Sequence, residues 1–194
     1  MLDNLQKYTI ILASNSPRRR ELLVRMGIDF KVRPLVGMEE TFPKILKGEE
    51  IVKHIAKEKA EAYLSVMEAP NELIIAADTL VFLEDEILGK PSNYHEAKAM
   101  LEKLSGRTHQ VITGVCVMTK EKVEVFSETT HVRFSLLSDD EIDYYIKQYL
   151  PFDKAGGYGI QEWIGYIAVD QFNGSYFNVM GLPTQTLYKI LKTF

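Results

Sequence analysis

The sequence predicts an α/β protein with a mixed sheet flanked by helices. In the first half of the chain, short apolar runs with strand character alternate with segments of helical periodicity. In the second half, two long strand-like runs follow each other across a short turn at residues 120–122, which predicts an antiparallel hairpin. A chain of 194 residues has the length of one mid-sized domain, so we expect a single domain, residues 1–194, with two lobes and a central cleft.

The chain begins with a strand, a loop and a helix. The apolar, β-branched residues 9–13 predict a buried strand that ends at a Ser-Asn-Ser sequence. Ser16 is placed to cap the helix that follows, Pro17 suits its first turn, and Gly27 suits its end.

A second strand and a long amphipathic helix come next. Residues 30–34 predict the strand, residues 37–43 an irregular acidic stretch, and residues 49–64 the helix. Apolar side chains recur in this helix at helical spacing and predict one buried face: Ile51, Val52, Ile55, Ala56, Ala60, Tyr63 and Leu64.

The middle of the chain contains a buried strand and a hairpin. Residues 73–77 form a continuous apolar run, which predicts a strand that ends at Asp78 and Thr79. Residues 80–88 predict a hairpin. Ser92 is then expected to cap a further helix.

The second half is predicted from its long hairpin and its capping signals. Residues 110–119 and 123–134 predict the two hairpin strands, and a capping box at residues 138–141 predicts a helix after them. An apolar stretch at residues 166–169 predicts a strand, and a final helix is expected near Pro183.

Composition excludes several classes of function. Lys and Arg total 23 against 27 Asp and Glu, and this net charge of −4 argues against nucleic-acid binding by bulk electrostatics. The single cysteine, Cys116, excludes an intrachain disulfide and is expected to be a buried, inert thiol. The four histidines lack zinc-type spacing and are interpreted as structural or surface residues. Without a secretion signal or a bilayer-length apolar run, we expect a cytoplasmic protein with no membrane partner.

The first candidate site is the start of the first helix. Ser14 and Ser16 precede it, and Arg18, Arg19 and Arg20 enter its first turns. Free N–H groups and partial positive charge at a helix N-terminus attract anions, and arginine forks match phosphate oxygens, so a phosphorylated ligand is one interpretation. A capped surface helix with solvated arginines is the other.

Asp78 is the second candidate. Its predicted position at the carboxyl end of a buried strand is where open α/β sheets place ligand-binding and catalytic groups. The carboxylate could ligate a metal or act as a general base on water, and Thr79 could add a hydroxyl hydrogen bond. The alternative is an aspartate that only caps the next turn.

Weaker candidates lie in three loops. Glu39 and Glu40 could supply hard oxygen ligands to Mg²⁺ or Mn²⁺, or form a solvated acidic loop. Lys90 could contact a phosphate or be one more surface lysine. Residues 154–161 combine glycines, an aromatic residue and the amide of Gln161, which suits close approach to a planar base. The phosphate loop of common NTPases and the dinucleotide-binding glycine motif are absent from the sequence.

Taken together, these segments resemble the Maf family of nucleoside triphosphate pyrophosphatases. The resemblance begins with ASNSPRR at residues 13–19 and covers nearly the whole chain in order. Its other segments are residues 38–40, 56–60, 77–79, 89–91, 104–109, 153–161, 174–176 and 181–183.

The resemblance implies an elongated mixed sheet between two lobes and a cytoplasmic, metal-dependent enzyme. The reaction it implies is cleavage of a nucleoside triphosphate between the α and β phosphorus atoms, which releases a monophosphate and pyrophosphate. The string at residues 154–161 is similar to the branch that acts on dTTP and UTP. Dimers occur among relatives, so a homodimer is compatible with the family.

The resemblance also implies roles for single residues. Asp78 matches the proton acceptor, and Glu40 matches an active-site carboxylate near the metal, which would be Mg²⁺ or Mn²⁺. The remaining positions match specificity residues (Arg18, Thr79 and Gln161) and phosphate-facing polar residues (Ser14, Arg19, Lys59 and Lys90).

One position departs from the family pattern, and two alternative functions stay open. Family members often have glycine directly after the glutamine, whereas Glu162 follows Gln161 here, so the loop beside the base is bulkier. The first alternative is a non-catalytic nucleotide-binding regulator of cell division, which has no evident need for a base such as Asp78. The second is a pyrophosphatase of broad specificity that removes modified nucleotides.

Overall fold

The computed structural model describes residues 2–34 and 41–194, in which seven strands and seven α-helices form a mixed α/β fold. The strands are β1 (Thr9–Leu12), β2 (Lys31–Val32), β3 (Glu72–Leu83), β4 (Glu86–Leu88), β5 (Thr108–Met118), β6 (Val123–Phe134) and β7 (Val169–Asn173). The helices are α1 (Pro17–Arg25), α2 (Glu49–Glu61), α3 (Tyr94–Leu104), α4 (Asp139–Tyr149), α5 (Trp163–Ala168), α6 (Tyr176–Met180) and α7 (Thr184–Leu191).

The sheet is mixed, as the sequence predicts. Its strand order is β2-β1-β3-β5-β6-β7, and β4 pairs with β3 outside this path. Strand β1 runs parallel to β2 and β3, whereas β4 runs antiparallel to β3 and β7 runs antiparallel to β6. Parallel pairs in the first half and antiparallel pairs later match the two kinds of connection that the sequence indicates.

The described chain divides into two compact units. Unit 1 comprises Met1–Asp78, Thr113–Glu128 and Gly181–Phe194. Unit 2 comprises Thr79–Ile112 and Thr129–Met180. The single domain over residues 1–194 and the central cleft stay predictions.

The core of unit 1 forms where α2 packs on the sheet. The fully or almost fully buried residues are Ile11, Ala56, Ala60, Tyr63, Ile74, Ala76, Cys116 and Met118. The predicted face of α2 is confirmed except at Leu64, which is 47% exposed. Helix α2 ends at Glu61, so the helical spacing that would have buried Leu64 no longer applies there.

Strand β3 is longer than the sequence indicates. The prediction that a strand ends at Asp78 and Thr79 is wrong, because β3 continues through both residues to Leu83. The hairpin after it is confirmed, with Val81 opposite Leu88. Pairing with β4 keeps the chain extended beyond the two polar residues, and Asp78 therefore projects from the middle of a strand.

Two further predictions are wrong. Residues 166–169 belong mostly to α5 and not to a strand, which begins only at Val169. In α5, Ile164 and Ala168 are buried, and they lie one helical turn apart at positions i and i+4. A short run of apolar residues does not show this helical spacing, so the sequence does not distinguish the helix from a strand. The cap of α3 is Asn93, whose side chain accepts from the Glu96 N–H, and not Ser92.

Local signals at other helix ends are confirmed. The Ser16 side chain caps α1 by accepting from the Arg19 N–H, and Gly27 follows that helix with φ 69°. The capping box of α4 is complete, with reciprocal hydrogen bonds between Ser138 and Glu141. Among the described helices, none has the length and apolar character that crossing a bilayer requires.

Close packing of α2 on β5 makes Gly114 a sensitive position. A Cβ atom at Gly114 would lie 2.3 Å from the backbone oxygen of Val52, which cannot move without shifting the helix. We expect Gly114→Ala to lower the free energy of unfolding by about 1–3 kcal/mol, measured by urea denaturation. Gly89→Ala is the control, because a Cβ there meets no atom within 4 Å. Equal losses in the two variants would contradict the packing argument.

Candidate functional site

Hydrogen bonds organise the loop between β1 and α1 around Ser14. This residue is 9% exposed, and its Oγ accepts from the Ser16 N–H at 3.1 Å and from Arg19 Nη1 at 3.3 Å. Pro17 occupies the first turn of α1. The loop therefore places a hydroxyl and a guanidinium together at the N-terminus of a capped helix.

The three consecutive arginines have different environments. Arg19 Nε donates to the backbone oxygen of Gly181 at 2.8 Å, which ties α1 to the segment before α7. Arg20 Nη2 donates to Asn15 Oδ1 at 3.5 Å. Arg18 is half-buried in the first turn. The interpretation as a capped surface helix with solvated arginines does not describe Arg19, which is half-buried and hydrogen-bonded to Gly181 and Ser14.

Asp78 and Lys59 form a buried ion pair between β3 and α2. The distance from Lys59 Nζ to Asp78 Oδ1 is 2.7 Å, and the side chains are 16% and 7% exposed. The other carboxylate oxygen, Oδ2, is buried and has no hydrogen-bond partner among the described residues. Because a buried carboxylate is costly without a partner, Lys59 stabilises Asp78 while leaving Oδ2 unengaged by the described chain.

The register of β1 and β3 brings these groups to the same end of unit 1. Leu12 lies opposite Ile75, and the Ala13 N–H donates to the Ile75 oxygen at 2.9 Å. Ser14 follows Leu12 by two residues and Asp78 follows Ile75 by three, with about 3.3 Å of rise per residue in a parallel strand. Ser14 and Asp78 thus both follow the pair Leu12–Ile75 in the direction in which the two parallel strands run.

Unit 2 holds the other three predicted site residues on neighbouring segments. Thr79 is half-buried in β3, and Lys90 is exposed directly after Gly89. The backbone oxygen of Gly89 accepts from the Gly156 N–H at 2.9 Å, which joins the loop of Lys90 to the segment that leads to Gln161. The Oε1 atom of Gln161 is buried and has no hydrogen-bond partner in the described part of the chain.

Sequence reasoning missed the importance of Lys154 and Glu162. Lys154 is 8% exposed, and its Nζ lies 3.1 Å from Glu162 Oε1. The signal available was a lysine within a string of small and apolar residues, followed by a glutamate eight positions later. Spacing alone gave no reason to pair them, because no regular helix or strand connects the two positions.

Two structural interpretations are confirmed. Cys116 is buried, and its burial raises the pKa of the thiol to about 12, so it is an inert core residue. His109 is 1% exposed, its Nε2 lies 2.7 Å from the Tyr158 hydroxyl, and burial lowers the pKa of the ring to about 4. His109 is therefore a neutral core histidine.

The candidate metal ligands are only partly described. Glu39 and Glu40 lie outside the described residues. Among residues 2–34 and 41–194, no group of three or more His, Cys, Asp or Glu side chains is arranged to hold a metal ion. The Oδ2 atom of Asp78 is a buried, hard oxygen without a described partner, and this donor fits a divalent cation.

The fold and the side chains described above define a class: a mixed α/β protein with a candidate site that contains cationic side chains, a hydroxyl and a buried carboxylate. The sequence model of the family described as Maf-like protein matches residues 9–194. The chain therefore belongs to the Maf family.

Relatives match the chain over nearly its full length. A protein of Phocaeicola vulgatus is 61% identical over 192 residues, which are 99% of each chain. A protein of Parabacteroides distasonis is 57% identical over 194 residues, which are 100% of each chain. A protein of Porphyromonas gingivalis is 51% identical over 195 aligned positions, which cover 100% of this chain and 98% of the relative. Each of these relatives carries the name dTTP/UTP pyrophosphatase.

The neutral state of His109 predicts a loss of stability in acid. Its pKa is about 4 in the folded chain and 6.5 ordinarily, so the unfolded chain binds more protons between these values. The contribution is complete above pH 6.5 and decreases as the pH falls towards 4, by on the order of 3 kcal/mol. In urea denaturation across this window, His109→Gln should show a flatter pH dependence than the parent chain. Parallel curves would contradict the assignment.

Proposed function

We propose that this chain hydrolyses dTTP and UTP to the nucleoside monophosphate and pyrophosphate. The observation that carries the proposal is the 51–61% identity, over nearly the full length, to relatives that carry the name dTTP/UTP pyrophosphatase. The described side chains support it, because they include cations, a buried carboxylate and an amide, and both the carboxylate and the amide have an oxygen without a hydrogen-bond partner in the described chain. The free, buried cysteine Cys116 is compatible with a cytoplasmic enzyme.

The cations and the serine hydroxyl are proposed to hold the triphosphate. Ser14 and Arg19 are linked by a hydrogen bond at the N-terminus of α1, where backbone N–H groups and the helix dipole favour an anion. Lys59 and Lys90 are each proposed to contact phosphate as a point charge. Orienting the phosphates in this way lowers the entropic cost of reaching the reacting geometry.

Asp78 is proposed to act as the general base. Its Oδ1 is paired with Lys59, so Oδ2 is the atom that would accept the proton of the attacking water. Attack of water on the α phosphorus breaks the bond from that phosphorus to the bridging oxygen, so pyrophosphate leaves with the bridging oxygen and the monophosphate receives the water oxygen. Attack on the β phosphorus leaves the bridging oxygen on the monophosphate, and pyrophosphate receives the water oxygen. In either case Asp78 takes the proton that the water loses. A regulator that only binds nucleotides would have no evident use for this carboxylate.

The base and the sugar are proposed to meet Arg18, Thr79 and Gln161. An amide offers both an acceptor and a donor, which can pair with the edge of uracil or thymine. The unpartnered Oε1 of Gln161 is the described atom that supports this role most directly.

A divalent cation, Mg²⁺ or Mn²⁺, is proposed to accompany the substrate. Asp78 and Glu40 would hold it, and bound there it would neutralise phosphate charge. Asp78 Oδ2 could ligate the cation or accept a proton. Measuring the turnover of Asp78→Asn at saturating cation separates these two roles.

Product analysis tests the proposed reaction. Purified protein is incubated with dTTP, UTP, CTP, ATP and GTP in the presence of Mg²⁺ or Mn²⁺, and the products are separated by ion exchange. We expect monophosphate and pyrophosphate in equal amounts, with dTTP and UTP as the best substrates and no turnover after chelation. Orthophosphate as the primary product, or a chain inert towards every triphosphate, would refute the proposal.

Asp78→Asn should separate binding from chemistry. Asparagine retains the size of the side chain but cannot accept a proton at neutral pH, so turnover should fall by about 10²–10⁴-fold. Triphosphate binding, measured by calorimetry, should largely persist because the cations remain. Asp85→Asn, on the exposed β3–β4 turn, is the matched control. At saturating cation, a folded Asp78→Asn variant with more than about a tenth of parental turnover would defeat the assignment.

A further inference from the structure

A tight turn presents Gln161. The backbone N–H of Glu162 donates to the oxygen of Gly159 at 3.0 Å, which closes a four-residue turn with Ile160 and Gln161 at its centre. Gln161 is therefore displayed at a position whose orientation depends on the two residues that close the turn.

One buried hydroxyl holds both ends of this turn. Tyr145 lies in α4 with no exposed surface, and its Oη accepts from the Gly159 N–H at 2.9 Å. The same hydroxyl donates to Glu162 Oε2. Burial, followed by the hydrogen bond to Glu162, raises the pKa of Tyr145 far above its ordinary value, so the hydroxyl keeps its proton and remains a donor.

A buried ion pair holds the remaining carboxylate oxygen. Lys154 Nζ lies 3.1 Å from Glu162 Oε1, and the two side chains are 9% and 18% exposed. Lys154 also contacts Asp153 at 2.7 Å, but the Asp153 side chain is 55% exposed and its attraction is screened by water. Glu162 is thus the less exposed anion of the two, and removing its charge would leave a buried ammonium poorly compensated.

Packing leaves the turn little freedom to move. A Cβ atom at Gly159 would lie 2.9 Å from Glu162 Cδ and 3.0 Å from Lys154 Cε. A Cβ atom at Gly165 would lie 1.8 Å from the backbone oxygen of Ile160, so the first turn of α5 is packed directly against the turn. Gly159 therefore packs against Glu162 and Lys154, and Ile160 packs against α5, so the backbone that leads into Gln161 is closely packed.

We propose that Glu162, held by Lys154 and Tyr145, is a positioning residue that fixes the Gln161 turn and thereby sets discrimination between uracil or thymine and cytosine. This inference rests on the proposed function. The N3 atom of uracil and thymine carries a hydrogen and donates, whereas N3 of cytosine accepts. A glutamine amide matches either pattern after a 180° rotation. It therefore discriminates between the two kinds of base only when the backbone that holds it and the groups around it are fixed.

Kinetic comparison of matched variants tests this role. Tyr145→Phe removes only the hydroxyl, and Glu162→Gln keeps the size of the side chain but removes its charge. The measured quantity is kcat/KM for UTP divided by kcat/KM for CTP. We expect this ratio to fall about tenfold in each variant, the effect of about one hydrogen bond, while kcat for UTP stays within about threefold. Asp153→Asn removes the exposed carboxylate from Lys154 and should leave the ratio unchanged.

The outcomes separate positioning from general structural damage. An unchanged ratio in both variants, or equal losses on UTP and CTP, would overturn the inference, as would a parent chain that hydrolyses both equally. If Glu162→Gln does not fold, Tyr145→Phe decides the question alone. A parent chain inert towards every triphosphate refutes the proposed function, whereas an active parent with unaltered variants refutes only the positioning role.

Tryptophan fluorescence provides a readout that does not need activity. Trp163, the single tryptophan of the sequence, directly follows Glu162, and its ring lies edge-on to Tyr144 with centroids 4.8 Å apart. Loosening of the turn should increase quenching of Trp163 by acrylamide in Tyr145→Phe and Glu162→Gln but not in Asp153→Asn. Identical quenching in all four proteins would overturn the inference independently of the kinetics.

Discussion

The buried carboxylate of Asp78 is the constraint around which unit 1 is arranged. A charge in the middle of a long, buried strand destabilises the fold unless an opposite charge meets it there. Helix α2 supplies Lys59 between the fully buried Ala56 and Ala60, so the helix face that packs on the sheet also delivers the ammonium. The Nζ atom of Lys59 then lies 2.7 Å from Asp78 Oδ1. The packing of α2 and the geometry of the candidate base therefore depend on each other.

Other polar side chains of the protein are also held in place by hydrogen bonds to more than one partner. Arg19 is held by Ser14 on one side and by the backbone of Gly181 on the other, so the first helix is completed by a segment near the end of the chain. In unit 2, the hydroxyl of Tyr145 accepts a hydrogen bond from the Gly159 N–H and donates one to Glu162. In both places a polar group is held by two hydrogen-bond partners, and the resulting rigidity is what a binding site requires.

Much of the fold could be predicted from the sequence, and the errors have identifiable causes. The apolar run of β3 predicts an end at Asp78 because polar residues commonly terminate such runs, yet pairing with β4 extends the strand. The sequence of α5 predicts a strand because a short apolar run carries no decisive period. Of the candidate site, the residue types and the segments that carry them were available from the sequence. The contacts of Lys154 and Glu162 were not.

Local features follow from the order of the residues alone: the caps at Ser16 and Ser138, the turn at Gly27 and the buried face of α2. These features depend on residues a few positions apart, whose side chains meet the neighbouring backbone in any context. The pairing of polar groups, in contrast, depends on how the whole chain packs. Arg19 meets a carbonyl 162 positions away and Lys59 a carboxylate 19 positions away. Such pairs leave no periodic signal, because their separation along the chain is set by how strands and helices pack and not by the geometry of a single element.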